Sequence, residues 1–99
     1  MDTDIIIPIY NAFDFTKKCI ETVIEHTDLT KHTLLLINDK STDQRILPLL
    51  NLFTTEYPSL NITIINNESN QGFVRTVNIG MQHSSRDVVF LIRNPRATK

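Results

Sequence analysis

Short apolar runs and longer amphipathic ones take turns along the chain. Four runs are rich in Ile, Leu or Val without strict alternation: about Asp4 to Tyr10, Thr33 to Asn38, Asn61 to Ile65 and Asp87 to Ile92. That pattern predicts strands covered on both faces. Between them lie three stretches of helical period. In Phe13 to His26, Phe13, Ile20, Val23 and Ile24 share a stripe opposite Lys17, Lys18, Glu21 and Glu25. Asn11 or Asp14 is placed to cap this helix. Ser41-Thr42-Asp43-Gln44 matches a capping box, yet Pro48 would then interrupt the helix. The better expectation is an irregular loop over Ser41–Ile46, then a short helix with Pro48 in its first turn that ends before Pro58, with Leu49, Leu50, Leu52 and Phe53 as its apolar residues. A third helix runs from about Phe73 to His83, with Phe73, Val77 and Met81 on one side. Pro8 offers no ladder donor and should loosen the sheet locally.

Strand–helix alternation implies right-handed crossovers. The fold class is therefore α/β: a Rossmann-like, mostly parallel sheet of about four strands with three helices. Ligands on such sheets bind beyond the carboxyl ends of the strands. Those ends carry Tyr10-Asn11, Asn38-Asp39, Asn66-Asn67 and Arg93-Asn94. The second run stops abruptly at a carboxylate and hydroxyls, Asp39-Lys40-Ser41-Thr42-Asp43, which suits a polar small molecule, a nucleotide above all. The start of the third helix should offer free N–H groups and a positive dipole end to a diphosphate.

Composition narrows the classes. With 99 residues, 40% apolar and 21% charged, the chain has room for one modest soluble domain. A formal net charge of −1 argues against a broad nucleic-acid surface. No apolar run approaches the ~20 residues of a membrane span, and Asp2 and Asp4 stand where a signal peptide would be basic. The one cysteine, Cys19, reads as a small apolar position in the first helix; it favours a reducing, cytoplasmic location. The only glycines, Gly72 and Gly80, exclude Walker and G-x-G-x-x-G loops. His26, His32 and His83 are scattered and make a poor metal set. Asn78 reads as a structural hydrogen bonder, Gly80 as a close-contact site.

Three segments carry a resemblance. Ile6-Ile7-Pro8-Ile9-Tyr10-Asn11 resembles the I-I-P-V-Y-N opening of family 2 glycosyltransferases. Asn38-Asp39-Lys40-Ser41-Thr42-Asp43 resembles their D-D-G-S-T-D segment, and Asn70-Gln71-Gly72-Phe73 through Asn78-Ile79-Gly80 their N-x-G-F-x-x-x-x-N-x-G helix entry. All three occur in order across residues 4 to 92. The resemblance implies the N-terminal, nucleotide-binding half of a GT-A fold, which takes a nucleotide-diphosphate sugar, uridine type most often. It assigns Asp39 to the uracil or ribose and Pro8, Tyr10 and Asn11 to the lining of base and ribose. Arg75 approaches the base or pyrophosphate, and Ser41, Asn70 and Gly72 complete the nucleotide-binding set.

The family's acidic metal motif should follow the fourth strand. Here Arg93-Asn94-Pro95-Arg96 follows, and no carboxylate comes after Asp87. The expectation is a half-domain over 1–92 with a polar tail over 93–99. It holds no catalytic or metal-binding residue of its own and is inactive alone. Mn2+ or Mg2+ is expected for the intact family domain, which works at the cytoplasmic side of the membrane. A non-catalytic nucleotide-binding or interaction module is the alternative. A receiver-like domain would want acids where Tyr10-Asn11 stand. A small open sheet predicts self-association, or a partner chain, over an exposed edge.

Overall fold

The computed structural model describes residues 3–84, and the backbone of 88–91. Seven elements alternate: β1 (Thr3–Ile9), α1 (Phe13–His26), β2 (Thr33–Asn38), α2 (Ile46–Glu56), β3 (Ile62–Asn66), α3 (Gly72–His83) and β4 (Val88–Leu91). The four strands form one parallel sheet in the order β3-β2-β1-β4. The expected architecture is therefore present, with element ends moved by a residue or so. The tail over 93–99 and the outer residues of the fourth strand, Asp87 and Ile92, lie outside the described residues.

Strand order fixes which helix covers which face. The chain steps outward from β1 to β3, then returns across the sheet to β4. Right-handed crossovers consequently put α1 and α2 on one face and α3 on the other. On the first face Ile5, Ile7, Ile9, Leu34 and Leu36 pack with Ile20 and Val23 of α1 and with Ile46, Leu49, Leu50 and Phe53 of α2. On the second, Ile6, Leu35 and Ile37 form a smaller cluster with Ile65. Each fully buried Ile or Leu contributes about 1.5–3 kcal/mol of transfer free energy. The alternation of side chains along a strand thus sets even residues of β2 and β3 towards α2 and odd ones towards α3.

Gly80 lets α3 reach the sheet. A Cβ built there would stand 2.5 Å from Ile37 Cδ1 and 2.9 Å from Ile6 Cγ2, so the close-contact reading is correct. Of the apolar residues of α2, Leu49, Leu50 and Phe53 are buried and Leu52 is half exposed. Asn78 lies exposed on α3, away from the structural role expected of it. His32 is more than an ordinary polar position, since its Nδ1 accepts the Thr3 amide at 3.0 Å. Cys19 is half-buried, and burial pushes its thiol pKa up.

Two local expectations are corrected. Pro8 does not loosen the β1–β2 ladder, where it pairs with Ile37 in unbroken register. The Ile9 carbonyl accepts from Asp39 N on the β2 side, so in a parallel strand the neighbouring Pro8 nitrogen faces β4. The described β1–β4 pairs end at Ile6 with Leu91, before Pro8 is reached. Nor does Asn11 or Asp14 cap α1: the N-cap is Ala12, with no side-chain bond. Asn11 and Ala12 both take left-handed backbone, φ 55° and 51°, a conformation that is unfavourable for Ala and that Asn tolerates better.

Candidate functional site

The loops after β1, β2 and β3 meet at the carboxyl end of the sheet. β2 delivers two adjacent side chains to opposite layers there. Asn38 points to the α2 side; its Nδ2 donates to Asn66 Oδ1 at 3.1 Å, and its Oδ1 accepts the Ser41 amide at 3.1 Å. Asp39 points to the α3 side and is 4% exposed. Its Oδ1 accepts Asn67 Nδ2 at 2.8 Å and Gln71 N at 2.7 Å, and its Oδ2 accepts Gly72 N at 2.9 Å. Strand pairing supports both tiers, because Asn38 and Asn66 are register partners and Asn67 N continues the ladder to the Asn38 carbonyl.

Asp39 therefore binds the first amides of α3 with its own carboxylate. Helix starts favour a negative group for two reasons: their N–H groups lack intrahelical partners, and the dipole is positive there. The anion site expected at the third helix is already filled from inside the chain, by charge-assisted bonds. Gly72 takes φ 82°, which glycine adopts without strain and other residues do not. Asn70 adds a bond from Nδ2 to the Asp39 carbonyl at 3.2 Å. Asn67 also reaches Thr76 Oγ1 at 3.2 Å, and Thr76 is fully buried under α3.

The β1–α1 turn is tied to the β2–α2 loop. Asn11 N donates to Ser41 Oγ at 3.0 Å, Asn11 Nδ2 to Thr42 Oγ1 at 2.9 Å, and Asp43 N to Asn11 Oδ1 at 2.9 Å. Asp43 grips Arg45 through Nε at 3.0 Å and Nη2 at 2.7 Å. These side-chain bonds, with the Arg45 amide, hold the Asp43 carboxyl well below the usual carboxylate range, at about 2. The Arg45 guanidinium lies 4.3 Å from the centre of the Phe13 ring, a cation–π contact. Ser41-Thr42-Asp43-Gln44 is accordingly a tethered loop rather than a helix cap, and α2 begins at Ile46 without a side-chain cap bond. Lys40 occupies the glycine position of the resembling segment with φ 57°.

A cleft of about 580 Å3 opens on the α2 side. Asn38, Lys40, Ser41, Gln44, Asn66 and Asn67 are among its lining residues, with Leu47 and Pro48 of α2. Of the sequence candidates, Ser41 lines it. Asp39, Asn70 and Gly72 are bonded to one another on the α3 side, and Asn11 is bonded to Ser41. Pro8 is buried within β1, Tyr10 is half-buried just past it, and Arg75 is exposed on α3; no contact joins these three to the cluster among the described bonds. Asn66, Asn67 and Thr76 were missed as partners. The paired Asn66-Asn67 at a strand tip was the available signal for the first two; Thr76, a polar residue on the sheet-facing side of α3, had a weaker one. Among the described residues no cluster of three or more His, Cys, Asp or Glu stands ready to hold a metal ion.

Comparison with known proteins agrees with this fold. The sequence profile described as Glycosyl transferase family 2 matches residues 4–92. The mannosyltransferase PcManGT from Pyrobaculum calidifontis, solved with GDP-Man and Mn2+, superposes with a TM-score of 0.79 at 18% identity, covering 88% of this chain and 25% of that one. TarS 1-349 of S. aureus, solved with UDP, gives 0.71 at 20% identity over 94% of this chain and 27% of its own. GalNAc-T7 with UDP, GalNAc and Mn2+ gives 0.74 at 18% identity over 86% and 16%. At these identities the likeness is one of fold. The chain spans about a quarter or less of these structures' length. No curated protein matches the sequence.

Proposed function

The chain belongs to glycosyltransferase family 2, and on that premise we propose that it is the nucleotide-sugar-binding part of an enzyme that moves a sugar from a nucleotide diphosphate to an acceptor hydroxyl. The observation that carries the proposal is the polar cleft at the carboxyl end of the parallel sheet, where such folds bind ligands. In this reading the nucleoside enters the cleft. The amides of Asn38 and Asn66 offer both donors and acceptors to a pyrimidine or to ribose hydroxyls. Tyr10 stands at the β1 exit to line the base, and Arg75 on the first turns of α3 is available to the pyrophosphate. Asp39 serves as framework beneath them. The uridine type is preferred, with residues 1–92 forming the binding unit and 93–99 a tail. Mn2+ or Mg2+ would be held by parts of the intact enzyme outside this set of residues. A cytoplasmic setting and self-association through a sheet edge belong to the same proposal.

A non-catalytic module is the second reading. It draws on one observation: the acid that the resemblance assigns to the nucleotide is engaged by α3. Calorimetric titration with UDP and with GDP, each with and without Mn2+, separates the two. Binding of UDP in the micromolar to millimolar range, about −4 to −8 kcal/mol, supports the nucleotide reading. Silence of both nucleotides at millimolar concentration refutes it and leaves the interaction module.

A further inference from the structure

Asn11 has every polar group in use. Its amide, side-chain Nδ2 and Oδ1 hold Ser41, Thr42 and Asp43, and its carbonyl accepts Thr16 Oγ1 at 3.0 Å. It does this in left-handed backbone, φ 55°, which Asn tolerates better than most residues. The contacts run onward through Asp43 and Arg45 to the Phe13 ring, returning to the chain two residues after Asn11. Ser41 and Asp43 line the cleft, whereas Asn11 does not.

We infer that Asn11 is a positioning residue, the hub that fixes the Ser41–Asp43 wall of the cleft before any ligand arrives. The inference rests on the nucleotide reading above for its effect on binding, and on the bonds alone for its effect on the loop. Preorganised walls bind more tightly because the ordering cost is met before association. A side chain that only stabilised the fold would affect melting; one that presets the wall affects affinity and local exchange while melting holds.

Asn11→Gly is the discriminating variant, since glycine accepts φ 55° freely and keeps the two backbone bonds. In the free protein, the Asp43 amide should exchange at least about 10-fold faster by NMR, because its acceptor is gone. The dissociation constant for UDP should rise about 10-fold with the melting temperature nearly unchanged. Thr42→Val, which removes only the Nδ2 acceptor at an exposed site, should weaken UDP about 3-fold and carries the test should the glycine variant fail to fold. An Asn11→Gly protein with an unchanged Asp43 amide, or with unchanged UDP affinity, overturns the inference. A wild-type chain that binds no UDP sinks the nucleotide reading instead, and the Asp43 exchange rate still decides whether Asn11 holds the loop.

Discussion

Asp39→Asn replaces a carboxylate by its closest neutral equivalent and separates two roles for the residue. In the folded chain Oδ1 takes two donors and Oδ2 one. The best orientation of an amide keeps oxygen at Oδ1 and places an NH2 group against the Gly72 N–H. One bond is then lost with donor facing donor, and the other two lose their charge. Hydrogen bonds to charged groups are worth about 1.5–3 kcal/mol and neutral ones about 0.5–1.5. The helix dipole term adds about 0.3–1 kcal/mol. The variant should therefore lose about 4–7 kcal/mol, a large part of the 5–15 kcal/mol typical of a domain. Urea denaturation followed by circular dichroism measures the loss, and amide exchange at Gln71 and Gly72 locates it. A loss below about 1 kcal/mol, or a UDP defect in a fully stable protein, would refute the framework role and return Asp39 to the ligand.

Three further outcomes follow from the geometry. Gly80→Ala should cost about 1–3 kcal/mol through overpacking against Ile37 and Ile6, read as a lower melting temperature, and Ile37→Val in the same chain should recover part of it by removing Cδ1. Lys40→Gly should gain about 1 kcal/mol in urea denaturation, because φ 57° no longer strains a side chain, while UDP affinity falls. Asp43 should titrate near 2 by carboxyl NMR; its folded pKa is depressed, so its stabilising contribution is present above the ordinary carboxylate range and is lost as pH falls from about 4 towards 2. Arg45→Ala should move that midpoint back up, and an unmoved midpoint would remove Arg45 as the cause.

Strands and helices were legible because their signals are local. Unbroken Ile and Leu runs mark buried parallel strands, and Pro48 correctly displaced the start of α2. Caps were illegible because tertiary contacts replaced them. Asn11 has the composition of an N-cap, but its side chain is held by a loop some thirty residues away, and the chain enters α1 through two left-handed residues. The site was half legible for a reason of parity. Asn38 and Asp39 are neighbours in sequence and were read as one cluster, yet adjacent strand residues face opposite layers. One joins Asn66 above α2, the other Asn67 under α3. Only the sheet register reveals that the cleft belongs to the first pair.

This division bears on how a phosphate would be met. A bare helix start carries about half a positive charge and several free amides. At α3 the Gln71 and Gly72 amides and much of that charge are consumed by Asp39. An anion arriving there must displace a buried carboxylate with three donors, or be held by cations elsewhere on the rim. Lys40 lines the cleft, is exposed, and sits in a conformation that glycine would occupy at lower cost. Strain retained at the mouth of a cleft, with a cation as its product, is more readily understood as binding chemistry than as folding chemistry. On that logic the affinity for UDP should fall with added salt in the wild type and fall much less steeply in Lys40→Gly; equal slopes would show that the charge of Lys40 never reaches the ligand.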